Sequence, residues 1–311
     1  MRLLPWISQH RAADIPTACL RLRNGFEINS ASSSCCFIFF LTGFIAYRYR
    51  SAHRLNNESS PSNTMTVNHS FQTQFAVPLS CDGCVKSVSD SVLKLGGINK
   101  VEGNLKDQLI YVEGSAAPSA IVEAIQATGR DAILRGSGTS DSAAVSILET
   151  YTDKKQTAHE GTNREVRGLA RMVQVSSGRT LVDLTVRGVS PGTYSASIRE
   201  YGDLKDGAES TGPVWRGPSG EAKGDLGKLE VGTDGRGAAF VDYPFQIWEA
   251  IGHAMVLTKQ EDAQSLKNDI DTVVGVVARS AGVWDNDKTV CSCTGKTLWE
   301  ERKDEVAKGM L

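Results

Sequence analysis

The chain has 311 residues, enough for two small domains with extensions at roughly 100–200 residues per domain. Hydrophobic residues make up 40% and charged residues 23%, with 30 glycines, which is the composition of a soluble globular protein. A formal net charge of -2, with no basic stripe interleaved with aromatics, argues against a nucleic-acid binder.

Residues 1–64 differ from the rest of the chain. Arg2, Arg11, Arg21 and Arg23 precede an uncharged run at 35–47 (CCFIFFLTGFIAY), and Arg48, Arg50 and Arg54 come after it. That run is short against the roughly 20 residues needed to span a bilayer. Its length suits the hydrophobic region of a signal peptide, but it starts far from residue 1 and has charge on both sides. Three readings stay open. The segment is a mitochondrial or membrane-directing leader, a short membrane anchor, or a stretch disordered or not translated, with the start at Met65. Residues 55–64 (LNNESSPSNT) have linker composition. Residues 1–64 are therefore taken as an extension outside the fold, and no stable membrane association is expected for 65–311.

The seven cysteines are unevenly placed: Cys19, Cys35 and Cys36 in the extension, Cys81 and Cys84 as C-x-x-C, Cys291 and Cys293 as C-x-C. Close pairs point to metal binding or redox chemistry in a largely reducing compartment, not to a secreted disulfide framework.

Residues 70–137 read as one small unit. Phe71, Thr73, Phe75 and Val77 alternate with Gln72, Gln74 and Ala76, as in a strand with one buried face. After Pro78 and the two cysteines comes an apolar stripe at helical spacing, Val85, Val88, Val92 and Leu95, stopped by Gly96-Gly97. Short strands are predicted at 98–101 and 109–112. A second helix opens at Pro118 with Ile121, Val122 and Ile125 inward and closes at Gly129, and a last strand covers 131–134. The order is βαββαβ. It puts Cys81 and Cys84 on the loop after the first strand, at a helix N-terminus that favours thiolates. Two thiolates suit Cu(I), which accepts low coordination, with Arg130 as a nearby cation to offset the charge. Zinc wants four ligands and is not expected here. A thioredoxin-type redox pair and a purely structural pair are the alternatives, although LSCDGC lacks the Trp and Pro usual around a redox pair.

AVPLSCDGC and its surroundings resemble the heavy-metal-associated domain of copper chaperones and copper-transporting ATPases. The family motif has Met two residues before the first cysteine, where this chain has Leu79. The resemblance implies that this side chain packs beneath the loop, where Leu is tolerated.

Residues 145–284 carry strand-like runs at 170–175, 180–189, 193–201, 238–241, 254–257 and 272–277, separated by glycine turns, and predict an antiparallel sandwich or barrel. Trp215 and Trp248 are expected as core or loop anchors. The strings VRGVSPGTYSASIREYGD, ESTGPVW, KGDLGKLEV and TVVGVVARSAGVW resemble the copper,zinc superoxide dismutase fold. The expected fold class is thus α+β, a ferredoxin-like βαββαβ domain, followed by an all-β Greek-key sandwich or barrel of the dismutase type. The dismutase chemistry is missing. That family binds its metals with six histidines and one aspartate, and this segment holds only His159 and His253. Matched position by position, Ser197, Arg199 and Thr258 replace copper histidines, Val214 the bridging histidine and Ala222 a zinc histidine, and only Asp225 survives. Asp225 is expected to accept hydrogen bonds in a loop, and His253 to be structural or at the surface. Ala208 and Val274 stand where the family has its internal disulfide. A dismutase frame without the catalysis suggests recognition: a look-alike subunit can replace one partner of a dismutase pair. The resemblance places that patch around 278–284, with Arg279 and Trp284 as candidate anchors against ordinary sandwich residues.

The tail, 285–311, begins polar and is expected to be mobile, with a short helix over 297–308. Cys291 and Cys293 face the same side of an extended chain about 6–7 Å apart. They can share one Cu(I) or form a strained, labile disulfide. CSCTGKTLWEERK resembles the tail of the dismutase copper chaperones.

The three-part order implies a metallochaperone that delivers Cu(I) to a copper,zinc superoxide dismutase as a heterodimer and promotes the client's disulfide through Cys291 and Cys293. It implies sulfhydryl oxidation of the client with oxygen as eventual oxidant, and no dismutase activity of its own. A homodimer of the free chain stays open, as does a Cu(I) buffer or sensor without a client. The expected location is the cytosol, with the mitochondrial intermembrane space as a second site from the resemblance.

Overall fold

The computed structural model describes residues 69–151, 165–261, 265–286, 288–290 and 294–307, all of which lie in one compact unit, Glu58–Leu311. Among them, no helix is long and apolar enough to cross a membrane.

The first layer is built as the periodicity predicts. Strand β1 (Phe71–Ala76), helix α1 (Asp82–Val92), strands β2 (Ile98–Asn104) and β3 (Leu109–Gly114), helix α2 (Pro118–Gln126) and strand β4 (Ile133–Ser137) come in that order. The sheet runs β2-β3-β1-β4, all antiparallel where paired. Phe75, Val77, Val88, Val92, Ile110 and Ile125 form its core. The β2–β3 hairpin is longer than the apolar residues alone suggest. Its turn is tied by side chains: Asp107 N donates to Asn104 Oδ1 (3.1 Å) and Asn104 Nδ2 to Asp107 Oδ2 (2.7 Å). The last strand starts at Ile133, since the Asp131 carboxylate instead accepts from the Ala132 amide at 2.8 Å. The expectation of one open face on β1 needs correction. Gln74 and Ala76 are buried as well, and the main-chain N–H of Trp284 donates to Gln74 Oε1 (3.3 Å).

The second layer is a nearly closed barrel. Its strands are β5 (Ala143–Thr150), β6 (Val166–Ser176), β7 (Arg179–Arg187), β8 (Gly192–Arg199), β9 (Asp225–Val231), β10 (Arg236–Tyr243), β11 (Ala254–Thr258) and β12 (Val273–Val276), with β13 (Ala278–Ser280) pairing β5. The order β10-β7-β6-β5-β12-β11-β8-β9 contains the long connections of Greek keys. Its two ends, β9 and β10, meet through the tight turn at 232–235. Strand β5 goes unpredicted because AAVSILET is alanine-rich with weak alternation; β9 carries two charges and a glycine within DLGKLEV beyond its leading aspartate. Trp215 is in the core, edge-on to Phe245 at 5.9 Å. Trp248 is not: it stands 61% exposed on the short helix α3 (Ile247–Ala250).

The two layers are joined over a continuous surface. Phe71 and Ala117 of the first share a buried cluster with Val173, Leu181 and Phe240 of the barrel. Asp183, in the barrel wall, accepts from Ser119 N (2.8 Å) and Ser119 Oγ (2.7 Å) at the start of α2, and pairs with Arg171 at 3.5 Å. Gly136 lies so close to residue 282 that a Cβ there would sit 2.1 Å from the Gly282 carbonyl oxygen.

The described tail residues are tied down where polarity alone suggested mobility. Arg135 donates to the carbonyls of Asn286 (2.8 Å) and Lys288. Val290 bridges Thr297, and helix α4 (Leu298–Ala307) starts with reciprocal bonds between Thr297 and Glu300. Arg302 then grips Asp131 through two bonds of 2.9 and 3.0 Å.

Candidate metal centre

Strand β1 ends at Ala76, and the chain must turn over the sheet to enter α1. Leu79, buried in the core, anchors this loop from below, the place expected for the residue two before the first cysteine. Cys81 is the N-cap of α1, in extended conformation and without a side-chain cap bond. Cys84 lies in the first turn, its N–H bonded to the Cys81 carbonyl at 2.9 Å. Both are free thiols, Cys81 exposed and Cys84 buried, and their sulfurs are 3.3 Å apart. The helix N-terminus supplies unpaired N–H groups and the positive end of the dipole to this spot.

The Cys84 thiol is pulled down to about 6, first by a hydrogen bond from the Ser80 hydroxyl and then by the Ser80 backbone, Arg130 and Cys81, against a small opposing effect of burial. The Ser80 Oγ stands 3.2 Å from Cys84 Sγ. Arg130 is held in place by the carbonyl and hydroxyl of Thr128. The sequence pointed to Arg130 as the nearby cation. It did not point to Ser80, whose neighbouring position in LSCDGC was the available signal. The loop presents two soft sulfurs, one ready to ionise, with one face open to solvent and a cation behind. Two soft sulfurs in this arrangement have the chemistry to bind a soft monovalent ion.

The barrel offers no second metal centre among the described residues, where no group of three or more His, Cys, Asp or Glu converges. Arg199 is fully buried and donates through Nε (2.9 Å) and Nη2 to the Gly212 carbonyl, while its backbone bridges Val214. Ser197 is register partner to Asp225 across β8 and β9. Thr258 shares a buried hydroxyl–hydroxyl bond of 2.8 Å with Thr272, and Ala222 is exposed. Asp225 accepts from the Gly227 N–H at 2.9 Å as expected, but it does so at the start of strand β9 and not in a loop. His253 is structural, bonded to the Arg199 carbonyl at 2.7 Å with its ring against Trp215. Ala208 and Val274 share one buried apolar cluster.

The remaining candidates lie apart. Arg279 is exposed and pairs with Asp141 at 3.1 Å. Trp284 stacks on Tyr111 of β3, ring centroids 4.4 Å apart, and is 67% exposed. Cys291 and Cys293 fall outside the described residues, as does His159. The sequence reading missed three exposed apolar side chains of the barrel: Ile147 on β5, Val276 on β12 and Tyr201 after β8. Gly275, next to Val276, packs on the Ile147 carbonyl, and Gly202, next to Tyr201, lies against Val276.

Comparison with known proteins agrees with both layers. The heavy-metal-associated domain family matches residues 74–131, and the copper/zinc superoxide dismutase (SODC) family matches 166–281. The chain is 42% identical over 256 residues to the superoxide dismutase 1 copper chaperone of Saccharomyces cerevisiae, covering 79% of this chain and 100% of that protein. It is 44% identical over 256 residues to the protein of that name from Debaryomyces hansenii, covering 78% of this chain and 98% of the relative. The human copper chaperone for superoxide dismutase is 31% identical over 258 residues, covering 75% of this chain and 90% of that protein. A loop of paired free thiols in a heavy-metal-associated domain and a dismutase-like barrel thus occur in a chain that belongs to the family of superoxide dismutase copper chaperones.

Proposed function

We propose that this chain carries Cu(I) on Cys81 and Cys84, docks a newly made copper,zinc superoxide dismutase through its barrel, and uses Cys291 and Cys293 to complete the client's maturation. One observation carries the reading. Two free thiols 3.3 Å apart sit in an electropositive helix-start loop, in the same chain as a barrel that keeps the dismutase frame but fills its metal positions with non-ligands. Cu(I) is the cargo: two sulfurs satisfy it, whereas zinc lacks its further ligands here. The chain is not itself a superoxide dismutase. The buffer or sensor reading without a client finds no support in the names of the relatives, which are chaperones.

Docking takes place by a dismutase-type pairing of two barrels. The apolar side chains of Ile147, Tyr201 and Val276 form its centre, and Arg279 lies on the next strand at its border. Copper then moves by exchange of one copper–sulfur bond at a time. In the redox step a Cys291–Cys293 disulfide accepts two electrons from two client thiols. The client gains its disulfide, the tail returns to a dithiol, and oxygen reoxidises it.

The test is reconstitution. Reduced, copper-free dismutase is mixed with the Cu(I)-loaded chain in air, under a chelator that removes free copper, and dismutase activity is followed. Activity is expected with the intact chain and is expected to fall at least tenfold with Cys81→Ser/Cys84→Ser or Cys291→Ser/Cys293→Ser. No activation by an intact chain that binds Cu(I) tightly would sink the reading.

A further inference from the structure

Residues 281–286 leave the barrel at β13 and cross onto the metal-binding layer. The Ala281 carbonyl accepts from Ser137 N at 3.2 Å, and Val283 N donates to the Gly138 carbonyl at 2.9 Å, so the segment continues from the end of β4. Trp284 comes next with φ of 77°, a left-handed conformation that a bulky side chain adopts only when its surroundings hold it. What holds it is a three-part clamp. Its indole stacks on the Tyr111 ring, its N–H donates to Gln74 Oε1 at 3.3 Å, and Gln74 Nε2 donates to the Tyr111 hydroxyl at 3.3 Å.

This clamp differs in kind from the other attachment of the same layer. At Ser119–Asp183 the carboxylate is 2% exposed and meets three donors, beside a buried apolar cluster. At Trp284 two thirds of the side chain is open to solvent; one ring stack holds the indole, and a main-chain bond to Gln74 holds its strained backbone. A partly exposed aromatic stack shifts an equilibrium by roughly tenfold at most. Of the two attachments, the exposed stack at Trp284 is the weaker and the buried junction the stronger.

The root of this segment is β13, which pairs β5, and β5 carries Ile147 of the proposed docking face. We propose that the Trp284 side chain is a releasable strap, on a segment whose flanks stay bonded at Ser137–Ala281, Val283–Gly138 and Arg135–Asn286. Docking of a dismutase subunit on the barrel lifts Trp284 off Tyr111 and turns it to the client, while the metal-binding layer stays fixed at Ser119–Asp183. The inference rests on the proposed docking of the client at the barrel. It separates two modes of delivery: the domain does not swing, and the strap moves.

Loss of the stack removes a competitor for Trp284. A chain whose strap is already open spends nothing to open it, and its apparent affinity rises by the inverse of the open fraction in the parent. The test measures binding of reduced, metal-free dismutase to the full chain and to its Tyr111→Ala and Tyr111→Phe variants, with hydrogen exchange read by peptide in each. Tyr111→Ala is expected to bind the client about threefold tighter or more and to exchange faster at the Trp284 amide within 281–286 in the free chain. Tyr111→Phe keeps the stack but loses the Gln74–Tyr111 hydroxyl bond, and is expected to fall between the parent and Tyr111→Ala. Exchange over 117–121 and 180–186 is expected to stay slow in the complex. Equal or weaker binding by Tyr111→Ala overturns the strap, and faster exchange at 117–121 and 180–186 on client binding overturns the fixed junction. A parent chain that forms no complex fails the docking reading itself, an outcome distinct from either.

Discussion

Cys84 is ionised at neutral pH because Ser80 and Arg130 stabilise its thiolate more than burial penalises it. The sign of the consequence is fixed by the direction of this shift. A thiol lowered in the folded state favours folding in full above its unfolded value of about 8.5, and loses that contribution as pH falls through about 6. Alkylation of Cys84, followed by peptide mass in a Cys81→Ala chain, is therefore expected to rise with a midpoint well below 8.5. Ser80→Ala is expected to move that midpoint upward, and an unmoved midpoint would show that Ser80 does not set the thiolate. Protons compete with copper over the same range, so copper retention against a fixed chelator is expected to weaken as the pH falls below about 6. At this scale the two cysteines and Arg130 are legible in the sequence because spacing and helix polarity place them. Ser80 is not, since a serine beside a cysteine has no spacing rule. The Tyr111–Trp284 stack joins residues far apart in the chain and depends on a φ that no pattern in the sequence announces.

The elements divide by how much of their stability is local. Helices α1 and α2 and strands β1 and β3 show in the sequence because each buries an alternating or helical stripe. Strand β5 escapes because its pairing, with β6, β12 and β13, makes it a strand, not its own residues. Arg199 shows the same dependence on context. Read from the sequence it is a lost metal ligand, and in the fold it is a buried cation that satisfies the Gly212 carbonyl. Arg199→Ala is expected to destabilise the chain by about 3 kcal/mol in denaturant titration, from a cavity and an unpaired carbonyl together. Arg199→His is expected to bring no copper to the barrel, because Ser197, Val214 and Thr258 supply no companion ligands; metal analysis of the Cys81→Ser/Cys84→Ser/Arg199→His chain checks this. Asp183 carries the junction between the layers. Burial pushes its carboxyl up, against the pull of Arg171 and Ser119. Asp183→Ala leaves Arg171 and two Ser119 donors without their acceptor and is expected to cost about 3 kcal/mol. The expected loss of protection at 117–121 distinguishes it from a change confined to the barrel.

At the scale of the molecule, the barrel is a dismutase-type frame with no cluster of metal ligands among the described residues. A dismutase-type frame is retained where it shapes the outer face of β5 and β12, and its metal positions have become ordinary packing. The order of layers was legible from the sequence, and so was the absence of the metal ligands. The proposed docking face includes residues that the sequence reading did not single out. The resemblance directed attention to Arg279 and Trp284, yet Arg279 is paired with Asp141 and Trp284 is stacked within the chain. Ile147, Tyr201 and Val276 are among the exposed apolar side chains; Tyr201 and Val276 fall in predicted strands, and Ile147 lies on β5, which the sequence did not announce. Apolar residues at the centre of an interface contribute most when water is excluded from them, and a charge there stays unpaired once buried. Ile147 is 46% exposed in the free chain, so a glutamate at this position can keep its charge in water until a partner arrives. Ile147→Glu is thus expected to leave folding and Cu(I) binding unchanged and to weaken the complex with dismutase at least tenfold, as read by chromatography with light scattering. Arg279→Ala, which removes only an exposed ion pair, is expected to weaken the complex by less than Ile147→Glu. Equal affinity of the Ile147→Glu chain and its parent would remove the β5 face from the interface and return the search to the border residues.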